Sequence, residues 1–224
     1  MRTRYLILGG MILIALVLRA GEILDRMVAT VNGHAILQSD WEDELHYECF
    51  MSGRPLRDLT REDRRTVFER LIDQELLRAQ MSSSDFKPAN NDEIAREIDD
   101  LKQHYSQQHG GESWSAALSS YGITEAEVAA HVGMEVNSLR LVDARLRPSI
   151  QIDAAAIEDY YKKELLPKMS KGQQPSLEEA SPKIRELLVQ QKMNELLSAW
   201  LDSLRSQAQI QIIVSDLPAV KVSQ

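Results

Sequence analysis

The sequence predicts a mainly α-helical fold with a small antiparallel β element formed by an N-terminal hairpin and a C-terminal strand. Three observations carry this. Apolar residues recur at three- and four-residue spacing over most of the chain, which is the period of a helix with one buried face. Asn32-Gly33, the dipeptide that best tolerates the positive φ angles of a tight type I′ turn, separates two short β-prone runs. The run AQIQIIV at 208–214 alternates weakly in the manner of a strand.

The elements follow in order. Met27 to Val31 and His34 to Leu37 make the hairpin, and Ser39 with Glu42 reads as a Ser-x-x-Glu capping box that starts a helix. The segment 60–79 opens with a Thr-x-x-Asp cap, and Phe68, Leu71, Ile72, Leu76 and Ala79 form one stripe that must be buried. After a serine- and proline-containing loop, 91–107 is a polar helix with a thin apolar seam of Ile94, Ile98, Leu101 and Tyr105. Gly110-Gly111 ends it, and Trp114 to Tyr121 is a short helix stopped by Gly122.

A second capping box, Thr124 to Glu127, opens a helix whose stripe is Val128, Val132, Val136, Leu139, Val142 and Leu146. Ile150 and Ile152 are extended, and Asp153 caps a helix through Tyr160, Tyr161 and Leu165. The segment 167–176 is a polar linker with helix breakers. The final helix is expected to begin near Ser181-Pro182, where proline suits the first turn. Its apolar residues Ile184, Leu188, Leu197, Trp200, Leu201 and Leu204 are interrupted by Gln190-Gln191-Lys192, so its two halves are expected to face different neighbours. A lone hairpin is only marginally stable in water, so the strand at 208–214 is expected to pair with it and close the two ends of the chain into one domain.

Arg2 and Arg4 precede a charge-free run from Leu6 to Leu18, which is close to a signal-peptide core and short of the ~20 residues that span a bilayer comfortably. Export through a cleaved signal is the expectation, and a retained anchor is the alternative. Removing residues 1–20, which hold three arginines and no acid, takes the formal charge from −8 to −11. An acidic chain argues against nucleic acid as a partner, because phosphates need a basic footprint, and against an electrostatic hold on anionic lipid. The single cysteine, Cys49, permits no internal disulfide, so the fold must rest on its core.

The residues offer little for catalysis. The five histidines, His34, His46, His104, His109 and His131, are dispersed, and the His46-x-x-Cys49 spacing beside Glu42 and Glu48 falls short of the converging donors a metal needs. No glycine-rich phosphate loop or nucleophile signature is present, and neither a cofactor nor a metal site is predicted. Glu178-Glu179 and Asp99-Asp100 read as solvated charge. The cluster Arg54, Arg57, Arg61, Arg64 and Arg65 is interleaved with Asp58, Glu62 and Asp63 and reads as a self-neutralised helix start. Flexible thioethers suit promiscuous apolar surfaces, which makes Met51 and Met134 candidate peptide-contact residues, with core filling as the alternative. Trp114 and Tyr121, in a short helix flanked by glycines, are candidates of the same kind, with burial against the Val128 stripe as the alternative.

The order VATVNGHAILQSDW, RLIDQELLRAQ, ITEAEV, RLRPSIQI and DAAAIEDYYKK resembles the N-terminal domain of SurA-type periplasmic chaperones. The ending IRELLVQQKMNELLSAWLDSLRSQAQIQII is similar to the helix and strand by which those proteins return to that domain. The resemblance implies a helical module at 21–166, a linker at 167–180 in place of the parvulin-type isomerase insert of the relatives, a returning helix and strand at 181–214, and a tail at 215–224, after a signal or anchor at 1–20. It implies an exported holdase for unfolded outer-membrane or secreted polypeptides, without intrinsic catalysis and with homodimerisation open. Two other readings stand beside it: a prolyl isomerase with residual activity, and a PpiD-like scaffold held in the inner membrane if the N-terminal segment is uncleaved.

Overall fold

The computed structural model describes residues 25–83, 85–108, 110–111, 113–170 and 174–214. The expected signal or anchor at 1–20, the tail at 215–224 and His109 lie outside them. The fold is mainly α with a small antiparallel sheet. Strands β1 (Met27–Val31) and β2 (His34–Leu37) form the hairpin, and β3 (Ile210–Ile212) pairs antiparallel with β1, giving the order β2-β1-β3. Asn32 and Gly33 both have positive φ, 51° and 87°, as a type I′ turn requires. The central strand therefore needs both ends of the chain.

The helices are α1 (Gln38–Ser52), α2 (Arg61–Ser83), α3 (Asn91–Gln108), α4 (Trp114–Tyr121), α5 (Glu125–Leu146), α6 (Ala154–Tyr160) and α7 (Leu177–Gln207). Three of the expected caps hold. Thr60 and Asp63 exchange hydrogen bonds at the start of α2, Thr124 and Glu127 do so at α5, and the Asp153 carboxylate accepts the Ala156 N–H at α6. Such local pairs satisfy amides that the helix itself cannot.

Two helix starts differ from the sequence expectation. α1 begins at Gln38, and the Asp40 carboxylate accepts the Leu37 N–H at 2.8 Å. Ser39 lies inside the first turn, where its hydroxyl and N–H both bond the Asp25 carboxylate, so a residue from before the hairpin replaces the expected Ser39–Glu42 box. α7 begins at Leu177, because Ser176 and Glu179 form a reciprocal capping box, and Pro182 lies within the helix. Two satisfied amides there outweigh the proline's preference for the first turn.

Four apolar clusters make up the core. β1, β2 and α2 meet around Val28, Ile36, Phe68 and Ile72, joined by Trp41, Leu204, Ile210 and Ile212. A second surrounds Phe50, with Tyr105, Leu118, Val128 and Val132. α7 crosses the other two: Ile184 and Leu188 pack with Ile157, Tyr160 and Tyr161, while Met193, Leu197 and Trp200 pack with Val142 and Leu146. The expectation that its halves face different neighbours holds, and Leu204 reaches the sheet cluster as well. α5 is packed by α2, α3 and α7, so its buried residues leave a single stripe: Leu141 is 7% exposed, whereas the expected stripe residue Leu139 is 63% exposed.

Between α6 and α7 lie only residues 161–176, of which Tyr161–Leu165 form a π turn, Leu166–Lys168 a 3-10 turn, and 169–170 and 174–176 are irregular. The Tyr161 hydroxyl donates to the Pro175 carbonyl at 2.8 Å and ties this connection back on itself. No helix among the described residues is long and apolar enough to cross a membrane.

Candidate functional site

α1 places its side chains on two neighbouring sites. Towards its C-terminal end Tyr47, Phe50 and Met51 face α3 and α4. Phe50 is fully buried, stacks on Tyr105 at 4.5 Å between centroids, and meets Trp114 and Tyr121 edge-on at 5.1 and 6.0 Å. Edge-to-face packing of this kind adds to what area burial alone contributes. Lys102 sits over the Trp114 ring at 5.6 Å. Three of the four candidate contact residues, Met51, Trp114 and Tyr121, are thus brought together, half-buried around Phe50. The Gly122 cap has φ 68°, and His46 Nδ1 stands 2.7 Å from the Tyr121 carbonyl, which pins α4 to α1.

Met134, the fourth, lies elsewhere. It lines a cleft of about 420 Å³ between β2, α1, α2 and α5, together with Ile36, Leu71 and Ala130. The polar walls are Asp40, Asp43, Glu44, Glu75 and Glu127, against Arg78, His34 and His131. The His131 ring is the shared partition. It stacks on Tyr47 at 4.2 Å with the planes only 7° apart, and Tyr47 in turn packs on Phe50.

Glu44 is the residue the sequence reading missed. It is only 4% exposed, with His131 Nδ1 3.1 Å from one carboxylate oxygen and Arg70 Nε 3.7 Å from the other. Arg70 also reaches Glu48 at 2.7 Å. A signal was available: Glu44 stands three residues after Trp41 and three before Tyr47, an acid between two aromatic residues on one side of the helix. A buried carboxylate needs such partners, because an unpaired charge there is costly.

The electrostatics follow from this packing. Asp43 is exposed as a residue, but partial desolvation of its carboxyl in the cleft, reinforced by Glu127, raises it above its ordinary pKa, and Thr124 bonds hold Glu127 below its own. Burial, with Glu135, Glu44 and Glu48 nearby, pushes the Tyr47 phenol up to about 12. Cys49 is fully buried and burial raises its thiol, so it is an inert packing residue rather than a nucleophile. Three of the five clustered arginines pair with local acids, Arg54 on Asp63, Arg57 near Asp58 and Arg65 on Glu62. Among the described residues no three metal-ligating side chains converge. The site thus comprises an aromatic cluster on one side of His131 and an acid-walled, apolar-floored cleft on the other.

The family model for the SurA-like N-terminal domain matches residues 3–141. The chain belongs to the SurA-like N-terminal domain family. The matched segment takes in the hairpin, α1 to α4 and most of α5, and with them both the aromatic cluster and the cleft. α6, α7 and β3 lie beyond it. No curated protein matches the chain.

Proposed function

We propose that this protein is an exported holdase that binds unfolded outer-membrane or secreted polypeptides and releases them unchanged. The observation that carries the proposal is the membership of residues 3–141 in the SurA-like N-terminal domain family. The half-buried aromatic cluster and the open cleft support it, since a holdase needs apolar surface and unspecific contacts in place of a catalytic constellation. An acidic chain would keep such a complex soluble.

The test is aggregation. An unfolded outer-membrane protein diluted from urea should scatter light more slowly when this protein is present in stoichiometric excess, and a time course equal to that in buffer would overturn the reading. A photoreactive group at Trp114 should crosslink to the same client.

The proposal includes the absence of isomerase activity, because the 16 residues at 161–176 leave no room for a parvulin domain between α6 and α7. A proline-peptide isomerisation assay should therefore run at the uncatalysed rate. One second reading is an anchored scaffold at the inner membrane, because cleavage after Ala20 would leave Leu18 where a small residue is preferred. Release by osmotic shock with a mature N-terminus near Gly21 would exclude it, whereas retention with the membrane would favour it.

A further inference from the structure

β2 is an edge strand, so among the described residues one side of it has no neighbouring strand. In this two-residue hairpin Val31 and His34 form the narrow pair beside the turn, which makes Thr30 and Ala35 the pair that exchanges no hydrogen bonds. The other side of β1 fixes the same parity: Asn32 N–H donates to the Gln209 carbonyl, and Ile213 N–H to the Val28 carbonyl. Ala35 therefore directs its N–H and C=O to the outer edge of the sheet. The next outward amide, that of Leu37, is already taken by Asp40.

This single open residue borders the cleft. His34, Ala35 and Ile36 line it in succession. Successive side chains of a strand point to opposite faces, so three in a row can border one cavity only along the strand's edge. Beyond that edge Leu71 and Met134 supply apolar surface. Of the carboxylates, Glu75 holds Arg78, and Asp40 and Glu127 are engaged in helix caps, while Asp43 makes no hydrogen bond or ion pair among the described residues.

We propose that the cleft takes an extended, basic polypeptide segment, its backbone pairing with Ala35 and a lysine or arginine side chain lying on Leu71 and Met134 with its head between Asp43 and Glu127. The inference rests on the reading of this protein as a polypeptide binder and names the place and the charge of what it holds. The open edge selects a peptide backbone, since only that offers a donor and an acceptor at strand spacing. The carboxylate walls select a cation and reject an acidic segment. One open residue gives only two backbone hydrogen bonds, so binding is weak and selects for charge rather than sequence; a longer exposed edge would invite aggregation.

The full chain, labelled with ¹⁵N, is titrated with a ten-residue peptide alternating lysine and valine, and with its glutamate-for-lysine counterpart. The basic probe should shift the amide resonances of Ala35, Asp43 and Met134, and the acidic probe should leave them in place. Asp43→Lys should weaken the basic probe about tenfold and Asp43→Asn less, since the first adds repulsion and the second only removes attraction. Asp43 is exposed, and an otherwise unchanged spectrum verifies the fold of both variants. Shifts away from the cleft, an equal response to the acidic probe, or unchanged affinity in Asp43→Lys would overturn the assignment. If the chain suppresses aggregation while the basic probe leaves the cleft untouched, the cleft assignment falls and the holdase reading stands. If the probe fills the cleft of a chain that suppresses no aggregation, the holdase reading falls and the cleft assignment stands.

Discussion

Asn32 and Gln209 hold each other across 177 positions of sequence: the Asn32 N–H donates to the Gln209 carbonyl at 2.9 Å, and the Gln209 N–H donates to Asn32 Oδ1 at 2.9 Å. The same asparagine supplies a positive φ to the hairpin turn. One residue therefore shapes the N-terminal turn and fastens the C-terminal strand to it.

Replacing Asn32 separates the two roles. Asn32→Gly keeps the turn and loses the side-chain acceptor, and should cost about 1 kcal/mol. Asn32→Ala also strains the left-handed backbone and should cost about 2 kcal/mol. Urea denaturation of both variants reads the difference, and equal costs would show that the turn conformation contributes nothing.

Deleting residues 208–224 removes β3 and the contacts of Ile210, Ile212 and Val214 with the sheet cluster. The loss should reach α2, which packs on the same residues, and lower the thermal midpoint of the whole module. Circular dichroism at 222 nm measures it. A truncated chain that melted at the full-length temperature would show that β3 is dispensable.

Arg205 fastens α7 to α2 by hydrogen bonds to Glu69 at 2.6 Å and Asp73 at 2.7 Å. Burial alone would lower its pKa, but these two carboxylates outweigh burial and raise it. Arg205→Ala leaves both acids unpaired while they remain about a quarter exposed. The cost should be about 2 kcal/mol, below that of breaking a fully buried pair. Arg205→Lys, which cannot span both acids as a planar fork does, should fall between.

Tyr47 sets an alkaline limit. Its phenol is at about 12 in the folded chain against an ordinary 10.0, so the folded state keeps a proton that the unfolded state releases. The stability it contributes is complete below pH 10 and is lost as pH rises towards 12. Its buried hydroxyl has no hydrogen-bond partner among the described residues, so Tyr47→Phe should be neutral or stabilising by up to about 1 kcal/mol and should remove a step near pH 12 from the absorbance titration at 295 nm.

The acid side runs the other way. Glu93, Glu127 and Glu179 are each held below the ordinary carboxylate pKa, first by a backbone N–H, from Asn90, Thr124 and Ser176 respectively. Stability from these groups is present above about pH 4.5, their unperturbed value, and is lost as pH falls through their lower folded values. Asp43 is raised and so opposes folding at neutral pH; Asp43→Asn should unfold at higher urea than the parent at pH 7 and converge with it in acid.

Most features legible in the sequence have partners within four residues, although the Ser176–Glu179 box does too and loses to Ser181-Pro182 in the sequence reading, while the distant pairing of β3 with the hairpin is read from its alternation. Thr60–Asp63, Thr124–Glu127 and Asp153–Ala156 needed nothing from the rest of the fold, and Asn32-Gly33 specified its own turn. The start of α1 was misplaced because Asp25 takes the Ser39 hydroxyl from across the hairpin. Leu139 was misassigned because three helices pack α5 and no single stripe describes it. At the candidate site, residue type located Trp114, Tyr121 and Met51, yet Phe50, which gathers them, carried no signal beyond being apolar. Glu44 is charged, so counting apolar positions passed over it; only its Arg70 and His131 partners explain its burial.

The central position of β1 has a consequence for the order in which the chain becomes a protein. β3 follows β1 by about 180 residues, so one side of the middle strand waits while that stretch is made. At about 5–20 residues per second, that wait is roughly 10 to 40 seconds. Until β3 is present, β1 keeps one edge open, and a chain that stops short of residue 210 keeps that edge exposed.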